Sequence, residues 1–410
     1  GITCPFFSTV SPVPSSVLLQ YLPQYHLSLT HSLRMRLPSS ESNHSPVYLH
    51  CLETRVPGNR HEQAFITDRM QDWLADPRQR RVYRMLSRKS GIETRYSVLP
   101  DFTESPLPGL FSVEPNGRVF EPGTAARNAH YAREAERLSL ELGRDILGKS
   151  AFDRSSITHV VTVSCTGFHN PGTDFQLVDG LGLSPATERY HLGFMGCYAA
   201  FPALRMARQF CQADPAAVVL VLCVELCTLH LQFSGDPDSL LANVLFSDGL
   251  GAALVSARSP EPGQAALRLD RFHSALAPEG RKEMAWDIGD RGFNLVLSSY
   301  VPEVISLNIR EGVAELLPPG TNAPEDLEHW AVHPGGKAIL DKVEAALGLQ
   351  PDQLACSRRI LRDYGNMSSS TILFVLKDWL HNSHPGDRAG AMAFGPGLVI
   401  ETALLTRHPD

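Results

Sequence analysis

This chain lacks the features that mark membrane-spanning, disulfide-rich and nucleic-acid-binding proteins. No apolar run reaches the roughly 18 residues that a membrane-spanning helix needs. No long block of Lys and Arg occurs, and 37 basic against 44 acidic residues give a net charge of −7, so we expect no nucleic acid as a partner. The eight cysteines include no Cys-x-x-Cys pair, and Cys165, Cys223 and Cys227 lie in apolar runs. This usage is typical of buried thiols in a reducing compartment, so we expect a cytoplasmic protein.

Residues 1–46 differ in composition from the rest of the chain. They are rich in Ser, Pro, Leu and His, and they lack the charged start and uninterrupted apolar core of a signal peptide. We therefore expect a poorly ordered extension there. The 410 residues, 43% of them hydrophobic, are enough for one large core or two closely packed halves.

From Val47 onward, strand-like and helix-like segments alternate. The continuous apolar run 217–227 predicts a strand buried on both faces, and the apolar periodicity of 124–147 predicts a long helix. The other predicted strands are 48–55, 158–165, 249–257, 266–276, 330–333, 389–394 and 398–405. The other predicted helices are 61–74, 78–88, 197–211, 301–317, 337–347 and 368–380. This order predicts an α/β protein built from two duplicated halves, 47–260 and 261–410.

Three short segments each place one chemically useful side chain at a predicted strand-to-helix junction. Cys197 follows Gly193 and Gly196 and precedes an Ala-rich helix, whose N-terminal dipole would lower the thiol pKa. His333 ends an apolar strand before Pro-Gly-Gly, and Asn366 precedes Met and three serines. Alone, each has an ordinary explanation as a core cysteine, a strand-end histidine or a helix cap. Together they indicate a site that contains a thiol nucleophile, an imidazole and an amide donor.

Such a site suits carbon–carbon bond formation on thioesters. A malonyl thioester that loses carbon dioxide leaves an enolate oxygen, which His333 Nε2 and the Asn366 amide can bind. Oxyanion donors of this kind contribute about 3–4 kcal/mol each. An acyl group carried on Cys197 is then attacked by the carbanion, in a decarboxylative Claisen condensation. The reaction needs no metal and no cofactor other than its thioester substrates.

These residues and three further motifs resemble the type III polyketide synthases, the chalcone and stilbene synthase superfamily, from Val47 to the end. Leu-Phe246-Ser-Asp-Gly and Gly-Phe293-Asn match the segments that carry the two gatekeeper phenylalanines of that family. Phe-Gly395-Pro396-Gly397 matches its GFGPG loop, although Ala occupies the first glycine position. The loop is the most specific signal, because the related type III ketoacyl-carrier-protein synthases share the catalytic residue types but usually lack it.

The resemblance implies a thiolase-like five-layered αβαβα fold, a homodimer and a coenzyme A tunnel that leads to the cysteine. Acyl-CoA and malonyl-CoA are the implied substrates. Arg81, Arg84 and Lys89 match the basic residues that bind the coenzyme A phosphates, with an ordinary solvated helix face as the alternative. Gly335 and Gly336 would let the pantetheine arm pass close to the backbone.

Four cavity positions depart from the plant enzymes. Where chalcone synthase has Thr, Thr, Thr and Gly, this chain has Cys165, Cys227, His230 and Met284. His230 and Met284 are bulky and would crowd an aromatic starter. Cys165 and Cys227 resemble positions that open an acyl tunnel in bacterial enzymes. We therefore expect a medium- or long-chain fatty acyl starter and an alkylpyrone or alkylresorcinol product. The alternatives are a single-round ketoacyl synthase of type III, an aromatic starter, a starter delivered by an acyl carrier protein or a fatty-acid synthase, and a catalytically silent family member.

Overall fold

The computed structural model describes residues 45–102, 109–113, 119–298, 300–317, 324 and 327–408. The predicted extension 1–46 lies outside the described residues except for 45 and 46. Residues 44–410 form one compact unit. Within the described ranges, no helix combines the length and apolar character needed to cross a bilayer.

The described regular elements follow the predicted alternation of strands and helices. The strands are β1 (Tyr48–Arg55), β2 (Asn59–Glu62), β3 (Thr94–Ser97), β4 (Ser112–Val113), β5 (Val119–Phe120), β6 (His159–Ser164), β7 (Glu188–Gly193), β8 (Val218–Leu226), β9 (Asp248–Ser256), β10 (Leu267–Leu276), β11 (Met284–Gly289), β12 (Gly292–Leu297), β13 (His329–Val332), β14 (Arg388–Gly395) and β15 (Val399–Arg407). The helices are α1 (Gln63–Trp73), α2 (Pro77–Lys89), α3 (Thr124–Lys149), α4 (Thr173–Gly180), α5 (Ala200–Ala213), α6 (Pro237–Leu245), α7 (Val301–Ala314), α8 (Lys337–Leu347), α9 (Ala355–Tyr364) and α10 (Thr371–Asn382).

Nine strands form one mixed sheet in the order β13-β14-β15-β10-β1-β9-β8-β6-β7. Strands β1 and β6 to β9 come from the first half of the chain, and β10 and β13 to β15 come from the second. The halves meet where β1 pairs antiparallel with β10, Tyr48 opposite Arg268 and Leu49 opposite Leu267. This junction makes the two half-sheets continuous.

Helices α5 and α10 form a central layer between the two half-sheets. Helix α5 contacts β6, β8 and β9 of the first half and β10 and β15 of the second, while α10 contacts β1, β9 and β13. Alternate residues of β8 face two separate hydrophobic clusters, Val219 and Val221 toward α5, and Leu220 and Leu222 toward α3. Helix α7 covers β10 and β15. The result is the αβαβα arrangement of the thiolase-like fold.

Several described elements were not predicted from the sequence, namely β2 to β5, β7, α4, α6 and α9. Two further local features also differ from the prediction. The helix predicted from Cys197 begins three residues later, at Ala200, because Cys197–Ala199 form a turn. Strands β11 and β12 form an antiparallel hairpin that the prediction missed, with Gly289 paired to Gly292 across the turn. Both features lie beside the candidate site.

Candidate active site

Cys197, His333 and Asn366 line one cavity of about 310 Å³. They come from the turn before α5, the end of β13 and the loop before α10, so the fold brings together three positions far apart in sequence. Most of the wall is apolar, and its aliphatic part includes Leu86, Leu241, Leu245, Leu295, Leu297 and Val301. A mainly apolar cavity with a few convergent polar groups is typical of a substrate site.

The turn that carries Cys197 is fixed by close packing on its glycine. Gly196 has φ of +89°, and a β-carbon there would lie 3.0 Å from Cγ of Pro396. The Ala199 N–H donates to the Gly196 carbonyl at 3.1 Å and closes the turn. The thiol is therefore aimed by a segment that only glycine can form at this position.

Burial raises the pKa of the Cys197 thiol to about 11, and the nearby Glu225 carboxylate adds to that rise. Hydrogen bonds with Ser368 and Asn366 act in the opposite direction. The expected lowering by a helix N-terminus is not found, because the sulfur lies in the turn before the helix and in a mainly apolar cavity. A nucleophilic thiolate at this site therefore needs a partner that takes the proton.

His333, which lines the same cavity, is the candidate for that partner. Its backbone N–H donates to the Met392 carbonyl at 2.8 Å, which fixes the residue at the end of β13. The side chain is buried, and burial lowers the pKa of the imidazole to about 3. Neither ring nitrogen has a hydrogen-bond partner among the described residues. A neutral imidazole with free nitrogens can accept the thiol proton or donate to a substrate oxygen.

Asn366 is oriented by bonds on both sides of its amide. Its Oδ1 accepts from the Ser368 N–H at 2.9 Å, and its Nδ2 donates to the Gly335 carbonyl at 3.2 Å. One Nδ2 hydrogen therefore stays available for the thiol or for a bound oxyanion. The backbone is held as well, since the Asn366 N–H donates to Leu245 and its carbonyl accepts from Ser247, both at 2.9 Å. These bonds join the loop before α10 to the end of α6 in the first half.

Glu225 is a buried carboxyl group behind Cys165 that the sequence analysis missed as a site residue. It accepts hydrogen bonds from the Cys165 N–H at 3.0 Å, from the Thr166 hydroxyl at 2.9 Å and from the Ser369 hydroxyl. Burial raises its pKa to about 7. An acidic residue inside the unbroken apolar run of β8 was the available signal, because isolated buried acids cluster at functional sites.

The predicted substrate-binding residues divide between the larger cavity and a second cavity of about 30 Å³. Cys165, Met284 and Pro396 line only the larger one, and His230 and Phe293 line only the smaller one. The wall between them consists of Cys227, Phe246, Leu295 and Trp286, none of which was predicted to divide the space. The two cavities adjoin at these four residues. The acyl tunnel expected beside Cys165 and Cys227 stays a prediction.

One hydrogen bond holds a residue of this wall, and two more hold His230 beside it. The Trp286 indole N–H donates to the Cys165 carbonyl at 2.9 Å. His230 donates from Nε2 to the Thr166 carbonyl at 2.8 Å and accepts from the Phe293 N–H at 3.2 Å. Its ring also stacks on Phe293, with centroids 4.0 Å apart. Burial lowers the pKa of His230 to about 3, so this ring is a neutral structural element rather than an obstruction in the larger cavity.

The glycine-proline loop contributes both lining and packing. Phe394 and Pro396 line the cavity, whereas Gly395 and Gly397 do not. A β-carbon on Gly395 would lie 2.8 Å from Cε1 of Tyr198, and the Gly397 N–H donates to the Met284 carbonyl at 3.0 Å. The loop thus connects the cysteine turn to strand β11.

The residues predicted to bind coenzyme A are only partly in the cavity wall. Lys89, Gly335 and Gly336 line the cavity. Arg81 and Arg84 are exposed on α2 and do not line it, and Arg84 donates to Gln71 Oε1 at 2.9 Å. The cations on α2 therefore lie at the rim and outside it.

Sequence comparison finds matches to one family over almost the whole described chain. The model of the N-terminal domain of chalcone and stilbene synthases matches residues 39–259, and that of the C-terminal domain matches residues 269–409. Bisdemethoxycurcumin synthase from rice (Oryza sativa subsp. japonica) is 31% identical over 347 residues, which cover 79% of this chain and 82% of that protein.

Solved structures with the same fold include two polyketide synthases. PKS-I from the brown alga Ectocarpus siliculosus has a TM-score of 0.83 at 27% identity and covers 90% of this chain and 100% of its own. The C-terminal type III polyketide synthase domain of Steely1, a type I/III hybrid from Dictyostelium, has a TM-score of 0.79 at 26% identity, over 88% of this chain and 99% of its own.

Proposed function

The chain belongs to the chalcone and stilbene synthases, the type III polyketide synthases that condense malonyl-CoA as acyltransferases, and we propose that its starter is a medium- or long-chain fatty acyl thioester. Repeated decarboxylative condensation then gives an alkylpyrone or alkylresorcinol. The main observation in favour of a fatty acyl starter is the wall of the catalytic cavity, which contains several Leu side chains and one Val side chain. Burial of alkyl chain against such a wall stabilises a fatty acyl group by about 0.8 kcal/mol per methylene.

Cys197 has the role of nucleophile in this proposal. The sulfur attacks the carbonyl carbon of the acyl thioester while His333 accepts the thiol proton, and coenzyme A leaves with a proton as the free thiol. Neutral His333 is in the protonation state that this step requires, because the low pKa keeps the imidazole unprotonated at pH 7.

His333 and Asn366 then bind the oxygen of the malonyl thioester. Cleavage of the bond to the carboxylate releases carbon dioxide and leaves an enolate, whose oxygen accepts from His333 Nε2 and Asn366 Nδ2. The carbanion attacks the acyl carbonyl on Cys197, and the Cys197 thiolate leaves. The free nitrogens of His333 and the second Nδ2 hydrogen of Asn366 support these roles.

Lys89 at the end of α2 and Gly335 and Gly336 before α8 line the cavity, which supports entry of the pantetheine arm there. Arg81 and Arg84 lie about one to two turns before Lys89 on α2, and we propose that they bind phosphate groups outside the cavity. We also propose a homodimer, since Phe168 and Phe175 are 39% and 43% exposed close to the site, and Phe168 packs against Phe293 with centroids 5.9 Å apart.

The free thiols of the described cysteines fit a reducing compartment such as the cytoplasm.

An aromatic starter is the second candidate. The specific observations in its favour are the rice relative, named for bisdemethoxycurcumin, and the aromatic wall of Phe246 and Trp286. The single-round ketoacyl synthase is set aside, because the family models match both halves of the chain.

Incubation of the enzyme with malonyl-CoA and a series of starters tests the proposal. Octanoyl-, dodecanoyl- and hexadecanoyl-CoA are compared with 4-coumaroyl-CoA, and products are identified by mass spectrometry. We expect at least one aliphatic starter to exceed the aromatic one by about tenfold in kcat/KM. Preference for the aromatic starter, or no product from any acyl chain longer than hexanoyl, contradicts the proposed starter. Cys197→Ala serves as the control for enzyme-independent condensation.

A further inference from the structure

Helix α2 carries a row of exposed cations at the edge of the catalytic cavity. It contains no acidic residue and has six basic ones, Arg78, Arg80, Arg81, Arg84, Arg88 and Lys89. All of these except Arg80 are exposed. Within the described part of the chain, none of the five exposed cations takes part in an ion pair. Such a row produces a positive field that attracts an acidic partner.

The row begins at the cavity and extends well away from it. Leu86, Lys89 and Ser90 line the cavity, so the C-terminal turn of α2 forms part of its rim. Arg78 lies 11 residues before Lys89, about 16 Å along the helix axis. The proposed coenzyme A contacts use Arg81, Arg84 and Lys89, which leaves Arg78 and Arg88 of the row without an assigned role.

Met85 lies in the middle of the row and is 46% exposed. At helical spacing it is flanked by Arg81 on one side and Arg88 on the other. Exposed Met surrounded by Arg is typical of protein–protein interfaces, in which both residue types are enriched. A second exposed apolar side chain, Tyr300, precedes Val301 of the cavity wall.

We infer that this face of α2, called here the basic face and consisting of Arg78, Arg81, Arg84, Met85, Arg88 and Lys89, docks an acidic acyl carrier protein. This rests on the proposed fatty acyl starter and names its donor. A carrier protein holds its acyl group on phosphopantetheine, the same arm that coenzyme A contains, so both donors use the same entrance. On transfer, the acyl carbon forms its bond to Cys197 sulfur, and the carrier thiol leaves with the proton that Cys197 gave up.

An anionic membrane surface is the other partner that a basic helix attracts. Membrane-surface helices bury a broad apolar face among the lipids. In α2 the apolar residues Tyr83 and Leu86 turn toward the protein, and Met85 alone is exposed among the cations. The arrangement therefore favours a protein surface with acidic groups around a small apolar patch.

The double variant Arg78→Glu/Met85→Gln tests the inference and leaves the residues assigned to coenzyme A unchanged. Glu at residue 78 lies in the first turn of α2, where an anion is compatible with the helix dipole, so the fold is expected to be retained. The control is Arg144→Glu/Leu307→Gln, which makes the same kinds of change at exposed positions on α3 and α7. Steady-state rates are measured with dodecanoyl-CoA and with dodecanoyl acyl carrier protein.

We expect the double variant to raise KM for the acyl carrier protein about tenfold and to leave kcat/KM for dodecanoyl-CoA within about twofold, with no such split in the control. An equal loss with both donors, or no change with the carrier protein, overturns the inference. So does loss of binding to phosphatidylglycerol vesicles with unchanged carrier-protein kinetics, which would assign the basic face to a membrane. If the enzyme uses dodecanoyl-CoA but not dodecanoyl acyl carrier protein, the docking inference is wrong and the proposed starter stands. If it uses neither acyl donor, the proposed starter itself is contradicted.

Discussion

Pro396 packs on Gly196 so closely that a β-carbon at residue 196 would lie 3.0 Å from Cγ of the proline ring. The two residues come from opposite halves of the chain, the turn before α5 and the loop between β14 and β15. In a second contact between the same two segments, Gly395 of the loop leaves room for the Tyr198 ring of the turn. The position of the Cys197 thiol therefore depends on a loop about 200 residues later in the sequence.

Replacement of Gly196 by alanine tests this packing. Gly196→Ala is expected to lower the free energy of unfolding by about 2–4 kcal/mol, since it combines a left-handed alanine with an overpacked contact. The control is Gly386→Ala, because Gly386 has φ of +90° but no atom lies within 4 Å of the place its β-carbon would take. Its expected cost is about 1 kcal/mol. Urea unfolding measures both, and equal losses would show that Pro396 contributes nothing.

Asn366→Asp separates the donor role of the amide from its structural role. The carboxylate can still accept from the Ser368 N–H, but it has no hydrogen to donate to an oxyanion. We expect malonyl-CoA decarboxylation to slow by about 10²–10³ in kcat. Acyl loading on Cys197, followed by intact-protein mass spectrometry, is expected to persist. Unchanged decarboxylation would remove Asn366 from the oxyanion site.

Glu225 predicts a pH dependence of stability. Its pKa rises from 4.5 to about 7 on folding, so between these values the folded state binds the proton more tightly than the unfolded state. Stability from this group is therefore present below pH 4.5 and falls as pH rises toward 7, by about 3 kcal/mol in total. Glu225→Gln should unfold at higher urea than the native protein at pH 8, with the difference reduced at pH 5. Glu311→Gln, at an exposed position, serves as the control and should show no such trend.

Trp286 predicts a change in starter range. It contributes to the wall between the two cavities, so Trp286→Leu is expected to join them and shift the preferred starter toward longer acyl chains. Each methylene that gains a binding site changes selectivity by roughly 1–3 kcal/mol at most. Trp286→Phe keeps most of the wall while losing the bond to the Cys165 carbonyl, and is the matched control. Competition between octanoyl- and hexadecanoyl-CoA measures the shift, and similar preferences in both variants would contradict the role of the wall.

Regular elements with a strong local signal were predicted well from sequence. Strand β1 and helix α8 have the predicted bounds, and β8 is buried at every position as its continuous apolar run indicated. The fold class followed from the alternation of these elements and from the family resemblance. The convergence of Cys197, His333 and Asn366 followed from their junction positions.

Features set by tertiary contacts could not be predicted in the same way. The direction in which the Cys197 pKa shifts depends on burial and on Glu225, neither of which the local sequence specifies. The β11–β12 hairpin and the position of Trp286 depend on packing against α6 and on the Cys165 carbonyl. His230 was expected to crowd an aromatic starter, and sequence alone could not show that its hydrogen bonds to Thr166 and Phe293 hold it beside the smaller cavity.

The backbone bonds between Asn366 and the end of α6 have a consequence for how the growing polyketide is accommodated. Two backbone hydrogen bonds of Asn366, with Leu245 and Ser247, connect the two halves directly at the reaction centre. Separation of the halves there would break both bonds. We therefore expect side-chain rotamers along the cavity wall, rather than domain opening, to make room for each added two-carbon unit.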